Sequence, residues 1–184
     1  MSTIDQFAVL AGLAAPVPQA LAFALAWLVI LLLYSPLADR IAGWFAPLPP
    51  RLAAFRALKE SWLKLAAGIA LAWLLGGFLE ELLLRGVVLQ SVAAAVAGKI
   101  GSIAANAVAI LSAAAVAYIL HLYQGPRAAL IVAQLSALFG VLFVISGHNL
   151  WAVIVCHGLY DTIAFVRFAR GTSRYSQFDG TPGT

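Results

Sequence analysis

The sequence predicts an all-α, polytopic transmembrane helical bundle of about five spans with one interfacial amphipathic helix. Hydrophobic residues make up 64% and charged residues 10% of the 184 residues, whereas a soluble domain is about 45–50% apolar and about 25% charged. Several charge-free runs reach the ~20 residues that cross a bilayer core. This composition excludes a soluble globular domain, a disordered chain and a nucleic-acid partner. A single cysteine excludes a disulfide framework.

The first charge-free run predicts a span at residues 21–37, after interruptions at Pro16 and Pro18. Residues 39–64 are different, because they contain a proline-rich break at 47–50 and then RLAAFRALKESWLK. Apolar residues recur there at steps of three and four, which is typical of an amphipathic helix in the membrane interface. A loop helix that covers the bundle explains the same pattern equally well. The apolar stripe consists of Leu52, Phe55, Leu58 and Trp62.

Residues 65–98 form a run of 34 residues with three charged side chains, and a straight helix of that length would be roughly 50 Å long. The run is either one tilted or broken span, or a hairpin folded at Gly76-Gly77. A single crossing places the N-terminus outside, the C-terminus in the cytoplasm and nearly all basic loop residues inside, as the positive-inside rule requires. We therefore predict a single crossing. The basic residues then inside are Arg40, Arg51, Arg56, Lys59, Lys64, Arg127, Arg167, Arg170 and Arg174, and Lys99 lies outside.

The rest of the chain supplies three more spans. Residues 101–122 predict one, and residues 128–166 predict two, separated by the turn Gly147-His148-Asn149. Residues 171–184 form a polar tail that we expect to be disordered. No repeat or second domain is evident, so residues 1–184 are predicted to form a single membrane domain.

Several ionisable side chains lie inside the predicted spans. Each costs about 2.5–3.5 kcal/mol at the bilayer centre, so they should face one another or a water-filled cavity, which is a functional-site hypothesis by default. The lone Ser136 is interpreted as a helix-packing residue. The candidate site residues are Glu80, Glu81, Arg85, His121, His157 and Asp161.

Helical spacing favours one shared site for these side chains. Glu81 and Arg85 are four residues apart and can pair, whereas Glu80 is rotated by about 100° and stays free. His157 and Asp161 are also four residues apart, so Asp161 can accept an N–H from the imidazole. A free glutamate beside histidines is suited to general-base chemistry. The favoured reaction is attack of water on a carbonyl, which is peptide hydrolysis within the membrane.

Three motifs follow one another on separate hydrophobic segments. EELLLR begins at Glu80, AYILHLYQGP contains His121, and HGLYD begins at His157. They resemble the E-E-x-x-x-R, F-x-x-x-H and H-x-x-x-N/D motifs of the CPBP family. That family contains the CAAX prenyl proteases and the bacterial bacteriocin-processing or self-immunity (Abi) proteins. The resemblance covers about residues 65–168, which it implies are the catalytic core.

The resemblance implies an intramembrane endopeptidase of the glutamic type. A glutamate would activate water with the help of a histidine, and a second glutamate with an arginine would shape the site. A second histidine and its acidic partner would stabilise the oxyanion or orient the water. By the resemblance, Glu80 would be the base and His121 its assistant. Glu81 and Arg85 would shape the site. His157 and Asp161 would stabilise the oxyanion or orient the water.

The second motif departs from the family pattern at its aromatic position. The motif aromatic falls on Ala117, and the neighbouring Tyr118 is the residue expected to fill its place. No cofactor is expected, although zinc is possible, with Glu80, His121 and His157 as its ligands. The zinc alternative lacks the H-E-x-x-H pattern that would favour it.

The depths of the motifs also constrain the structure. Glu80 is about 24 Å from Lys64 along a helix, whereas His121 is about 9 Å from Arg127. The Glu80 helix should therefore tilt, kink near Gly76-Gly77, or start above the membrane surface, with a cavity that opens to the cytoplasm.

The predicted protein lies in a bacterial inner or plasma membrane and takes a membrane-associated peptide or lipidated protein as its substrate. Two alternatives remain open. A non-catalytic self-immunity or scaffold protein would keep the fold, and Ala117 is the feature that favours it. An ion or proton transporter would also use buried acids and histidines, but such proteins usually contain repeats.

Overall fold

The computed structural model describes residue 9 and residues 12–175, and this part of the chain is helical with no strand. Five of its helices are long and apolar enough to cross a membrane, which confirms the predicted polytopic helical bundle. Residues 176–184 of the predicted polar tail lie outside the described residues. The elements are α1 (Val17–Phe45), a 3₁₀ helix (Ala53–Lys59), α2 (Trp62–Ile100), α3 (Ser102–Leu120), α4 (Pro126–Ile145) and α5 (Leu150–Ala169).

Helix α1 continues beyond residue 37, the predicted end of the first span. The helix runs through Pro36, next to which the Ser35 hydroxyl donates to the Leu31 carbonyl oxygen at 2.9 Å. The Asp39 carboxylate is buried and accepts a hydrogen bond from Arg127 Nε at 2.9 Å. A charge that signalled the end of the span in the sequence therefore lies inside the helix, because a distant arginine neutralises it.

The segment between α1 and α2 is helical, as its apolar stripe predicts, but it forms only the short helix Ala53–Lys59. Leu58 is buried, and the Phe55 ring lies 5.5 Å from the ring of Phe165 in α5. Trp62 is the first residue of α2 and is 80% exposed. The stripe is therefore divided between two helices, and its middle part packs on the bundle.

Helix α2 is continuous over 39 residues, which agrees with the predicted single crossing and excludes the hairpin at Gly76-Gly77. An α-helix of this length would be ~58 Å long, more than the ~40–45 Å of a whole bilayer, so α2 must tilt or project from the membrane. Its central part has π-helical hydrogen bonding over Ala72–Glu80 and Leu82–Leu89. Such widened turns occur frequently at functional sites, and here one stretch ends at Glu80 and the next begins directly after Glu81.

The core of the bundle lies among all five long helices, to which α2 contributes Leu84 and Leu89, and alanine residues of the other helices allow close packing. Many large apolar side chains point outwards instead. A soluble protein rarely exposes a continuous surface of this kind, whereas a hydrocarbon solvent favours it. Examples are Leu33 (75% exposed), Ile103 (87%) and Leu111 (65%).

Candidate active site

A cavity of about 730 Å³ lies between the 3₁₀ helix, α2, the end of α3, α4 and α5. Its lining is mostly apolar near the 3₁₀ helix and polar at its deep end. All six predicted site residues line this cavity, so the structure brings together the side chains that the sequence assigned to one site. These residues are Glu80, Glu81, Arg85, His121, His157 and Asp161.

Glu81 and Arg85 form the ion pair that their spacing predicts. Arg85 Nη1 lies 2.9 Å from Glu81 Oε2, and the two side chains are 1% and 0% exposed. A buried charge pair of this kind is stable only when further polar contacts satisfy it. The remaining contacts come from two other helices, which therefore fix the position of the pair within the bundle.

Helix α4 supplies the first of these contacts. Arg85 Nη2 donates to the carbonyl oxygen of Ser136 at 2.5 Å and to its hydroxyl at 2.8 Å. The Phe139 ring, one turn further along α4, lies 5.6 Å from the Arg85 guanidinium carbon. The interpretation of Ser136 as a packing residue alone was therefore wrong, because Ser136 binds the arginine of the site. Small residues in a span give no signal that separates these two uses.

His157 of α5 joins two of the three acidic residues of the site, Glu81 and Asp161. Its Nδ1 lies 2.6 Å from Glu81 Oε1, and its Nε2 lies 3.4 Å from Asp161 Oδ2. The Phe139 ring stacks on the imidazole at a centroid distance of 4.9 Å. The His157–Asp161 contact agrees with the predicted pairing. The contact to Glu81 joins α2 to α5, and sequence spacing could not predict it.

Glu80 differs from the adjacent Glu81 in its exposure and in its hydrogen bonding. It is half-buried and lines the cavity. Within residues 12–175, Glu80 forms no hydrogen bond or ion pair, whereas both oxygens of Glu81 contact a charged or ionisable partner. The geometry therefore agrees with the prediction that one glutamate is held and the other is free.

His121 lies where α3 ends, in a backbone conformation (φ −101°, ψ 5°) that leaves the helix. Its Nδ1 is 2.9 Å from the Ala117 carbonyl oxygen, which leaves Nε2 for other partners. The cavity wall beside it is formed by Tyr123, whose ring stacks on His121 at a centroid distance of 6.2 Å. Tyr123, rather than the expected Tyr118, is thus the aromatic neighbour in the cavity, while Ala117 is fully buried in the bundle.

Glycines allow α2 and α5 to approach each other at the site. A Cβ atom on Gly76 would lie 3.1 Å from Asp161 Oδ2 and 3.5 Å from His157 Nε2. A Cβ atom on Gly77 would lie 3.6 Å from the Cα atom of Gly158. The Gly76-Gly77 pair was expected as the turn of a hairpin or as a place for a kink. Its structural use is to leave room for the His157–Asp161 pair.

The possible zinc ligands do not form a metal-binding group. No cluster of three His, Cys, Asp or Glu side chains within the described residues is arranged to hold an ion. Both ring nitrogens of His157 already face carboxylates. The donor set that the zinc alternative requires, Glu80 with His121 and His157, therefore does not fit a resident metal in this arrangement.

The fold and the cavity define an integral, multi-pass membrane protein with a buried acid–histidine site. Residues 62–163 match the family described as type II CAAX prenyl endopeptidase Rce1-like. The match covers more than half of the chain, and the chain belongs to this family of membrane proteases. No curated protein and no solved structure matches the chain at a significant level. The family assignment confirms the predicted resemblance to the CAAX proteases.

Proposed function

We propose that this protein is an intramembrane endopeptidase in which Glu80 is the general base that activates water. The observation that carries the proposal is the contrast between the two adjacent glutamates. Glu81 is buried and held by Arg85 and His157, whereas Glu80 faces the cavity without a polar partner among the described residues. A carboxylate that acts as a base must reach the water directly, and Glu80 meets this condition.

The proposed reaction is a simple hydrolysis. Glu80 accepts a proton from a water molecule, and the resulting hydroxide adds to the carbonyl carbon of the substrate peptide. The oxyanion that forms is stabilised by an N–H donor, for which Nε2 of His121 is the candidate, because both ring nitrogens of His157 already face carboxylates. Glu80 then returns the proton to the amide nitrogen, the C–N bond breaks, and an acid and an amine leave.

Glu81 and Arg85 are positioning residues in this proposal. Glu81 accepts from His157 at 2.6 Å and so fixes the orientation of the imidazole. Arg85 in turn holds Glu81 and is anchored by Ser136. Asp161 faces the other ring nitrogen of His157. A histidine held on both sides keeps its ring at a constant place in the cavity wall, which preorganises the site around Glu80.

We further propose that the cavity opens to the cytoplasm and that no metal is needed. The residues at its mouth include Lys64, Gln124 and Ser173, at the end of the bundle where the basic residues collect. The apolar part of the lining suits a membrane-associated or lipidated peptide. The engagement of both His157 nitrogens by carboxylates supports activation of water by Glu80 alone.

The test uses the purified protein in nanodiscs with a library of membrane-tethered peptides, read by mass spectrometry with and without a chelator. Glu80→Gln should lower cleavage by about 10²–10⁴-fold, the usual contribution of a general base. Glu60→Gln is the matched control, because Glu60 is exposed and pairs with Lys64 on the surface. Retained cleavage by Glu80→Gln would contradict the assignment of the base. Loss of wild-type cleavage in chelator would contradict a metal-free reaction.

A further inference from the structure

A second cavity of about 350 Å³ lies beside the first. It is bounded by α1, α4, α5 and residues 172–175, where the chain turns back after Gly171 (φ +71°). The expectation of disorder was wrong for this part of the tail, because Thr172 and Ser173 donate backbone hydrogen bonds to the Arg167 carbonyl oxygen. The ordered start of the tail therefore supplies one wall of the second cavity.

The two cavities differ in the chemistry of their walls. The first is mostly apolar outside its acid–histidine site, whereas charged and hydroxyl side chains line much of the second. These side chains belong to Ser35, Asp39, Tyr160, Arg167, Arg174 and Tyr175. A hydrocarbon chain would remove water from these groups at a cost in free energy, whereas water can bond to them. The second cavity therefore suits water, and its volume far exceeds the ~10–15 Å³ that one molecule needs.

The second cavity reaches the polar end of the bundle. The Arg174 side chain is 57% exposed, and Arg167 and Thr172 are exposed as well. All three residues line the cavity in the last turn of α5 or just beyond it. The 3₁₀ helix and α2 line only the first cavity. Water can therefore enter the second cavity by a path that avoids both of these elements.

A shared wall separates the two cavities, and Tyr160 is part of it. Tyr160 follows His157 by three positions on α5, so the two side chains are neighbours on one helix face. The Tyr160 hydroxyl lies 2.6 Å from Ser35 Oγ. Because Ser35 donates its own proton to the Leu31 carbonyl oxygen at 2.9 Å, Tyr160 is the donor in this contact. The phenol oxygen thus keeps a lone pair that can accept a hydrogen bond from water.

Hydrolysis in the first cavity consumes one water molecule for each bond cut, and the hydrocarbon around the bundle contains no water. A membrane-tethered peptide that fills the first cavity would also close its mouth. We propose that water reaches Glu80 through the second cavity and that Tyr160 is the partition that it passes. This inference rests on the proposed function and adds the path by which the same site obtains water while the peptide is bound.

The first test labels single-cysteine variants in nanodiscs with a small, charged, water-soluble thiol reagent. Cys156→Ala removes the native thiol, and Glu80→Gln keeps a peptide that the wild type cleaves intact in the site. In this background Ser35→Cys places a thiol in the second cavity, Ala67→Cys places one in the first, and Leu33→Cys is the matched control on the lipid-facing surface of α1. The bound peptide should protect Ala67→Cys and leave labelling of Ser35→Cys unchanged. Leu33→Cys should stay unlabelled.

The second test blocks the path. Ile163→Trp adds an indole group to a wall that belongs to the second cavity alone. Val166→Trp is the matched control, because Val166 is half-buried on the same helix and lines neither cavity. Ile163→Trp should lower kcat and leave KM unchanged, since the peptide still binds while water arrives more slowly. It should also suppress labelling of Ser35→Cys, and Val166→Trp should change neither quantity.

Two labelling results would overturn the water path. One is a Ser35→Cys thiol as unreactive as that of Leu33→Cys, and the other is protection by the peptide equal to that of Ala67→Cys. An unchanged kcat in Ile163→Trp, with labelling of Ser35→Cys suppressed, would also overturn it. If the wild type cleaves no peptide, the proposed function fails, and labelling of Ser35→Cys in the peptide-free protein still decides whether water fills the second cavity.

Discussion

Two buried carboxylates are bound by arginine in this protein, and they serve different purposes. Glu81 lies deep in the bundle, pairs with Arg85 four residues later and contacts His157 of α5. Asp39 lies near the end of α1 and is bound by Arg127 of α4 and by residues that follow α5. Both are almost fully buried. Their chemistry is the same, but only Glu81 has an uncommitted glutamate as its neighbour.

The comparison shows that a buried ion pair does not by itself mark an active site. The Asp39 cluster is saturated, because each of its carboxylate oxygens already accepts from a donor of the chain. Both oxygens of Glu81 likewise contact a charged or ionisable partner, but this cluster also holds a histidine next to the free Glu80. What distinguishes a functional cluster is therefore a reactive group beside it that the cluster positions and does not neutralise.

The largest effect is expected at the Glu81 cluster. Arg85→Met leaves the Glu81 carboxylate buried without its cation, which typically destabilises a protein by about 3–5 kcal/mol. Cleavage should fall by about 10²-fold or more, because His157 is then misplaced. The measurement is unfolding by SDS in mixed micelles, followed by circular dichroism, together with the cleavage assay. A loss below ~1 kcal/mol would contradict the importance of this pair.

A double variant sharpens that result. Glu81→Gln with Arg85→Met removes both charges, so at least half of the stability lost in Arg85→Met should return, because replacing a whole buried pair is often nearly neutral. Cleavage should not return, since the neutral amide introduced by Glu81→Gln cannot hold His157 as the carboxylate does. Additive losses of stability in the double variant would show that the two residues do not act as a pair.

Asp39→Asn should have a smaller and different effect. It leaves Arg127, whose side chain is 20% exposed, without its carboxylate, so a loss of about 1–3 kcal/mol is expected. When both are expressed as free energies, the loss of stability should exceed the loss of turnover. The reason is that the cluster joins α1 to α4 and lies away from Glu80. The same unfolding and cleavage assays apply. A larger loss of turnover than in Arg85→Met would reverse the distinction between the two clusters.

Gly76→Ala tests the site without touching a charge. The added methyl group would lie 3.1 Å from Asp161 Oδ2, a distance that forces the carboxylate away from His157. Cleavage should fall roughly tenfold, in line with the cost of misplacing a group near the reaction. Gly98→Ala is the matched control in the same helix, because no atom lies within 4 Å of its Cβ position. That control should gain up to about 1 kcal/mol of helix stability. Equal activity of the two variants would contradict the role of Gly76.

Local patterns made much of the molecule predictable. The spans follow from long apolar runs, and the pairing of Glu81 with Arg85 and of His157 with Asp161 follows from the four-residue helical spacing. These features depend on residues within one helix. The continuous course of α2 could also be predicted, because a hairpin would have moved Arg127 and the C-terminal arginines to the outside of the membrane.

Contacts between distant segments could not be predicted. Arg85 and Ser136 are 51 residues apart, and Asp39 and Arg127 are 88 residues apart. No spacing rule connects such pairs, so the first span was predicted to end before Asp39. The aromatic neighbour of His121 was missed for a related reason. The helix ends at that histidine, and Tyr123 in the following turn is brought back to the ring.

The smallest effect concerns the tail at the Asp39 cluster. Burial and the hydrogen bond to Asp39 raise the pKa of Tyr175 to about 12 from its ordinary value of 10.0. A raised tyrosine pKa contributes stability that is complete below about pH 10 and is lost as the pH rises through about 12.

The ultraviolet difference spectrum between the wild type and Tyr175→Phe should show this phenolate titrating near pH 12. In Asp39→Asn the midpoint should move towards 10, since the acceptor charge is removed. A wild-type midpoint near 10 would mean that residues 172–175 do not rest on α1. The Asp39 carboxylate would then keep Arg127 of α4 as its partner and lose its contacts to Arg174 and Tyr175.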